Sequence, residues 1–417
     1  MTNDINLNGG HRKLVTAGFI IPFILVTSLF FLWGFAHSLL DVLNKHFQEI
    51  LGITKAMSGW VQAALYGGYA VMAIPAGLIM SHIGYKKGII LGLLIYATGA
   101  FLFYPAAEIQ TFVFTLFCLF VIACGLTLLE TAANPYSTVL GPKETSEQRL
   151  NFSQSFNGLG WIIGPTVGGW FIFRGGEMAE TNKFASMIMP YMIIGTLVTL
   201  VAIMFIFTKL PDIHEGEHDS HGDKGKYSGL LKFSHFKFAV VAQFLYVAAQ
   251  TGINSFFINY VTETMPQFSN EKAAYLLSLG FIFFMIGRFS GSVMMTWFKP
   301  NQMLALYAGI NILTMLFVVL GLGWLSLISI YITYFCMSIM FPTIFALGIK
   351  DLGSLTKKGS SLLVMMVAGG AVCPMLMGWI ADISNMATGF IVPMLCFAVI
   401  LVFGLKGYKV KKVELTQ

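Results

Sequence analysis

The chain has 417 residues, of which 56% are hydrophobic and 11% charged, with a formal net charge of +6. A water-soluble domain carries about a quarter of its residues as charges, so this composition excludes a soluble globular protein and points to one solvated by lipid. The sparse basic residues are also distributed in a way that excludes a nucleic-acid surface.

In chain order, apolar runs fall at 17–40, 59–83, 88–104, 111–133, 153–173 and 189–207. A second set falls at 238–260, 274–295, 303–322, 325–347, 361–380 and 390–405. About 20 apolar residues suffice to cross a hydrocarbon core of about 30 Å. These runs predict an all-α membrane protein, with twelve transmembrane helices in two pseudo-symmetric six-helix bundles. The first run is too long for a signal-peptide core and lacks a small-residue cleavage site, so it reads as a retained helix. A polar stretch, 209–233, separates six runs from six, with Asp212, Glu215, Glu217, Asp219 and Asp223 ahead of Lys224 and Lys226. The expected organisation is an N-terminal bundle (1–208), a cytoplasmic central loop (209–235) and a C-terminal bundle (236–417).

Odd-numbered loops hold Lys45, Lys55, Arg174, Lys183 and Lys272, while the other 20 of the 25 basic residues lie in the termini, the even-numbered loops or helix ends facing them. Arg12, Lys13, Lys86, Lys87, Lys143, Arg149 and Lys209 are examples. The positive-inside rule then places both termini in the cytoplasm, with the chain multi-pass in the inner membrane. The net charge is orientation, and no nucleic-acid partner is implied. All five cysteines (Cys118, Cys124, Cys336, Cys373 and Cys396) sit within apolar runs. They read as small core residues rather than a disulfide framework.

The two halves echo one another. Pro135, Leu140-Gly141 and Lys143 recur with the same spacing as Pro342, Leu347-Gly348 and Lys350. Gly164-Pro165 ahead of Gly169-Trp170 is matched by Cys373-Pro374 ahead of Gly378-Trp379. Both offsets are about half the chain, the signature of parallel six-helix repeats that rock around a midplane site.

Ionisable residues inside the runs carry the functional signal. A carboxylate at the bilayer centre costs roughly 2.5–3.5 kcal/mol on insertion scales. Glu130 sits deep in the fourth run, with Asn134 one turn on, and reads as a reversible proton carrier or, failing that, half of a structural hydrogen-bonded pair. Asp41 lies near the outer end of the first run, where Lys45 at i+4 offers an interfacial partner, so function and structure are equally open. His37 and Ser38 share its face; His37 reads as a hydrogen-bonding group rather than a proton relay.

Amides follow helical stripes: Gln154 and Asn157 with Trp161 in the fifth run, Gln243, Gln250 and Asn254 in the seventh. Amides offer donors and acceptors without charge, which suits a ring of hydroxyls, and Trp33, Tyr66, Trp161 and Phe341 offer faces for a pyranose. Interhelical hydrogen bonding is the other use of each amide. Arg288 reads as a snorkelling gating contact, and Asp382 as interfacial. Gly77, Ser81, Gly84, Lys86 and Lys87 form a loop motif between the second and third runs, and the two lysines are grouped with Arg288 as gating residues. The chain carries no HExxH and no nucleophile elbow, so an enzyme is not expected, nor any metal site or cofactor beyond a coupling ion.

With these residues assembled, the chain resembles the fucose:proton symporter and glucose/galactose transporter family of the major facilitator superfamily. The loop at Gly77–Lys87 resembles that superfamily's motif, with Ser81 where an Asp is usual. The resemblance rests also on Ser28 to Trp33 leading to Asp41, on Leu129-Glu130-Thr131-Ala132-Ala133-Asn134-Pro135, and on Leu150 to Asn157. It continues in Phe244 to Thr251, Ile286 to Phe289 and Pro342 to Lys350. It implies that Asp41 and Glu130 handle the proton, and that Gln154 and Asn157 contact sugar, with Asn134, Ser38, His37, Gln250, Asn254, Trp33 and Phe341 lining the cavity. Ser38, Asn254 and Phe341 depart from the fucose pattern (Asn, Trp and Tyr), which favours the hexose-carrying branch. The function implied is import of a glucose- or galactose-like monosaccharide by proton symport, by a monomer working through alternating access. Two alternatives stand beside it: sodium as coupling ion, and efflux by antiport of a drug or metabolite. Antiport is suggested by Gly160-x-x-x-Gly164-Pro165.

Overall fold

The computed structural model describes residues 15–142, 145–174, 185–209, 227–295 and 297–410. Arg12, Lys13, Lys143, Lys183 and most of the acidic central loop lie outside the described residues, as do the side chains of Ser81 and Arg174. Every regular element among the described residues is helical. Six long helices precede the central loop: α1 (Ile20–Leu51), α2 (Trp60–Ile83), α3 (Tyr85–Ile109), α4 (Phe112–Val139), α5 (Ser146–Arg174) and α6 (Ala185–Phe207). Six follow it: α7 (Ser234–Thr264), α8 (Asn270–Met294), α9 (Pro300–Val319), α10 (Trp324–Ile349), α11 (Gly359–Ile383) and α12 (Met386–Gly407).

Eleven of the twelve are long and apolar enough to cross a membrane on their own composition. The exception is α5, which spans 29 residues but carries Arg149, Gln154 and Asn157 among its turns. Its polarity is tolerated because it is packed between α1 of its own bundle and α8 of the other. Large apolar side chains such as Ile74, Leu78, Phe207 and Leu306 point outward on the other helices, as a lipid-facing surface requires.

α1 runs eleven residues beyond its apolar stretch. It stops where Gly52 takes a left-handed φ of 62°, a conformation glycine enters without steric cost. This moves Asp41 from the expected outer end to the helix interior, where it is 2% exposed. The pairing with Lys45 does not form; Lys45 lies 3.4 Å from Glu49 instead.

Tight glycine contacts seat helices in both bundles, and one in each bundle corresponds to one in the other. A Cβ on Gly160 of α5 would land on the Phe31 carbonyl oxygen of α1; a Cβ on Gly369 of α11 would land on the Phe244 carbonyl oxygen of α7. Lipid provides no hydrophobic drive between helices, so backbone approach of this kind supplies the van der Waals gain. The Gly160/Gly164 pair is therefore accounted for by packing of α5 on α1. In the second bundle α10 is interrupted after Met337, and α11 by a 3₁₀ turn at Met366–Ala368. Broken helices at membrane depth are tolerated where protein or a cavity covers the freed backbone.

Candidate functional site

Glu130 lies nine residues before the end of α4 and is half-buried. Its carboxylate has no hydrogen-bond partner among the described residues. One turn on, the Asn134 side-chain amide donates to the Glu130 backbone carbonyl at 3.1 Å and accepts from Gln154 Nε2 of α5 at 3.2 Å. Tyr69 of α2 is within electrostatic reach of the Glu130 carboxylate. The acid thus faces the protein interior, flanked by α2 and α5.

His37 connects this region to α1. Its Nε2 is 3.0 Å from the Tyr69 hydroxyl, and its ring is caged by Trp33, Tyr66, Tyr69 and Trp161 at centroid distances of 5.4–6.1 Å. Trp161 in turn packs on Phe281 of α8 at 5.0 Å, so the cage closes against the second bundle. Three of the four aromatic residues read as sugar-stacking faces therefore surround one imidazole. Phe341 stands apart, against Tyr246 in the second bundle.

One turn past His37, Asp41 sits between the bundles. Its Oδ1 accepts from Gln62 Nε2 of α2 at 2.9 Å and from Ser255 Oγ of α7 at 3.5 Å, while Oδ2 is sealed without a partner. Gln62, Ser255 and Tyr69 went unnoticed in the sequence. Gln62 gives the same signal as Gln154, a lone amide in an apolar run. Nothing in the sequence says that Ser255 would meet Asp41.

The remaining amides divide. Gln250 is half-buried and makes no hydrogen bond among the described residues. Asn254 is held by the Tyr334 hydroxyl at 2.8 Å, and Gln243 is fully buried with neither amide atom partnered. Asn157 donates to the Phe30 carbonyl at 3.2 Å, and Ser38 donates to the Gly160 carbonyl at 3.2 Å, so both are engaged at the α1–α5 contact. Of the residues grouped as gating, Lys86 donates to the carbonyls of Ile206 and Thr208 at the end of α6, a favourable place for a cation. Lys87 is exposed, and Arg288 lies over the Phe284 ring at 5.0 Å within its own bundle.

The contacts that join the bundles gather on the face carrying the odd-numbered loops. Asp382 of α11 accepts from the backbone N–H of Lys55 and of Ala56, each at 2.9 Å. Lys55 pairs with Glu263 at 2.7 Å, Asn270 donates to Glu49 at 2.7 Å, and Gln48 and Asn259 form a reciprocal amide pair. Deeper in, Asn44 donates to the Ser255 carbonyl at 2.7 Å and Thr251 to the Tyr66 hydroxyl at 3.1 Å. No hydrogen bond or ion pair among the described residues joins the bundles at the opposite face, which carries the start of α1 and the end of α12.

Comparison with known proteins agrees with this architecture. The Major Facilitator Superfamily model matches residues 19–362. The chain is 41% identical over 406 residues to the L-fucose-proton symporter of Escherichia coli, covering 92% of each. It is 35% identical to the glucose/galactose transporter of Brucella abortus, covering 92% of this chain and 93% of that protein. A crystal structure of the E. coli fucose symporter in the outward conformation covers 94% of this chain with a TM-score of 0.68. The D-xylose-proton symporter, at 14% identity and a TM-score of 0.73, shares the fold. The chain belongs to the Major Facilitator Superfamily, within the group that contains the L-fucose-proton symporters and the glucose/galactose transporters.

Proposed function

We propose that this protein imports a hexose or closely related monosaccharide by proton symport through alternating access of its two bundles. The observation that carries the proposal is Glu130, a half-buried carboxylate deep in α4 with no hydrogen-bond partner among the described residues, beside the Asn134–Gln154 amide pair. An unneeded acid at that depth would be eliminated by its insertion cost; one that binds and releases a cation each cycle is retained. The named functions of the relatives, proton-coupled fucose transport and glucose/galactose transport, support the same reading.

Gln154, Asn134, Gln250 and His37 supply the neutral polar groups that hydroxyls need, and Trp33, Tyr66 and Trp161 supply aromatic faces around His37. Glucose or galactose is the leading substrate class. Asp41 serves as the second proton-handling group, positioned where closure of the bundles brings Ser255 onto it. With both termini cytoplasmic, as the lysine distribution supports, the hydrogen bonds and ion pair that join the bundles among the described residues lie towards the opposite side. Coupling in each half-cycle requires that sugar and proton favour the same occluded state.

Efflux by antiport loses its main sequence support, because Gly160 and Gly164 are used to seat α5 on α1. The deciding experiment is uptake of a radiolabelled monosaccharide panel, including glucose, galactose and fucose, into proteoliposomes under an imposed inward proton gradient, with and without sodium. Accumulation that follows the proton gradient without sodium supports the proposal. Accumulation that needs sodium, or no uptake of any monosaccharide, overturns it.

A further inference from the structure

The second bundle bears a groove that sugar transport does not use. It has a volume of about 540 Å³ and lies between α9 and α12. One wall is a single stripe of α9 (Gln302, Leu306, Gly309 and Leu313), and the other is Leu401 and Leu405 of α12. A Cβ on Gly309 would meet nothing within 4 Å, so the glycine leaves the groove floor open. Leu306, Leu313 and Leu405 are each more than half exposed, so the groove faces the bilayer. From Gln302 to Leu313 the stripe rises about 16 Å at 1.5 Å per residue, which is one leaflet's share of a hydrocarbon core of about 30 Å.

The ends of the groove differ. Its deep end is wholly apolar. At its other end Gln302 sits in the first turn of α9, directly after Trp297, Phe298 and Lys299, and Leu405 is followed by Lys406 and Lys409. Trp297 is 75% exposed and Phe298 53%, the placement of aromatic residues at a headgroup boundary. Lys299, Lys406 and Lys409 are exposed and have no ion pair among the described residues. No Asp or Glu occurs in 295–320 or 386–412, so the two helices that wall the groove carry no acidic residue. Orientation alone accounts for lysines on this side of the membrane; the structure adds a leaflet-long apolar groove whose polar-end residues Gln302 and Leu405 lie within three and four residues of Lys299 and of Lys406 and Lys409.

We infer that the α9–α12 groove is a binding site for an anionic phospholipid, its acyl chain lying along Gly309 and its phosphate held by Lys299, Lys406 and Lys409. Annular lipids exchange along any apolar flank; this site retains one lipid class because chain and headgroup are both engaged. Each lysine near a lipid headgroup adds about fivefold to affinity for an anionic lipid.

The test is native mass spectrometry of the full chain released from detergent micelles, with palmitoyl-oleoyl phosphatidylglycerol or the phosphatidylcholine of identical chains added. The wild-type protein retains the phosphatidylglycerol adduct preferentially. The combined Lys299→Gln, Lys406→Gln and Lys409→Gln variant loses that preference, by more than tenfold. Gly309→Trp, which fills the floor, loses adducts of both lipids. The lysine variant changes exposed side chains alone and keeps the test decisive should Gly309→Trp fold poorly. Equal retention of the two lipids by wild type, or an unchanged preference in the lysine variant, overturns the inference. So does dimerisation that Gly309→Trp abolishes, which would assign the groove to a second copy of the chain.

Discussion

Both carboxylate oxygens of Asp382 accept backbone N–H groups from the short helix that begins at Lys55, more than 300 residues away in sequence and in the opposite bundle. Asp382 is exposed, so each bond contributes about 0.5–1.5 kcal/mol net against competing water, and the clasp, with the Lys55–Glu263 ion pair beside it, favours closure of the odd-loop face. Combining Asp382→Ala with Glu263→Gln is expected to shift the population towards opening at that face by about tenfold or more. The measurement is the labelling rate of a cysteine at position 259, in a background lacking the five native cysteines, by a membrane-impermeant maleimide. Unchanged labelling would show that the clasp is incidental to gating.

The two intramembrane acids are expected to separate transport from coupling. Glu130→Gln keeps the size of the side chain and its ability to hydrogen-bond while removing proton exchange. The variant should still equilibrate labelled sugar across the membrane but accumulate none under a proton gradient. Asp41→Asn preserves an acceptor for Gln62 and Ser255 and should likewise lose accumulation. Counterflow and gradient-driven uptake, measured on the same proteoliposomes, distinguish the outcomes. Surviving accumulation in Glu130→Gln removes it from the coupling scheme.

Arg149 is expected to be a stability residue rather than a transport residue. Fully buried at the start of α5, its guanidinium donates to the carbonyls of Ser137, Pro142 and Gly141 and to the Thr145 hydroxyl, tying off the end of α4. Arg149→Ala leaves those carbonyls unpaired at a cost of about 3 kcal/mol. A drop in the midpoint of thermal unfolding in detergent, with the sugar half-saturation constant unchanged in surviving protein, is the expected result. An altered half-saturation constant at unchanged stability would contradict this assignment.

How far the sequence reached depends on which physical signal each feature leaves. Apolar runs locate all twelve helices because a lipid core imposes a minimum length. They misjudge α1, whose backbone continues as helix through the polar residues from Asp41 to Glu49 once tertiary contacts cover them. That misjudgement placed Asp41 at the interface and offered it Lys45. The depth of Glu130 was legible because Leu126, Leu128 and Leu129 flank it in sequence. The Asp41–Ser255 and Asp382–Lys55 contacts were not, since which helix faces which is decided by packing between bundles, and no local pattern encodes it. Gly160 was visible as part of a motif, but only the α1–α5 geometry reveals its use. Asn157 and Ser38, which the resemblance assigns to the sugar cavity, are engaged at that same contact in this conformation.

Tyr69 offers the sharpest test of the aromatic cage. Its hydroxyl is the one hydrogen-bonding partner of the His37 imidazole among the described residues, and its ring is one of the four walls around that imidazole. The hydrogen bond fixes which way the imidazole plane is turned, and therefore which nitrogen remains for a hydroxyl of the sugar. Tyr69→Phe removes the bond and keeps the wall. If His37 contacts substrate, the variant should raise the half-saturation constant by about 5–10-fold, the worth of about 1–1.4 kcal/mol in orientation, with maximal velocity little changed. If His37 serves packing alone, Tyr69→Phe should leave both parameters in place, because the ring contacts survive. His37→Ala, which empties the cage, cannot make this distinction, so the conservative tyrosine variant is the informative one.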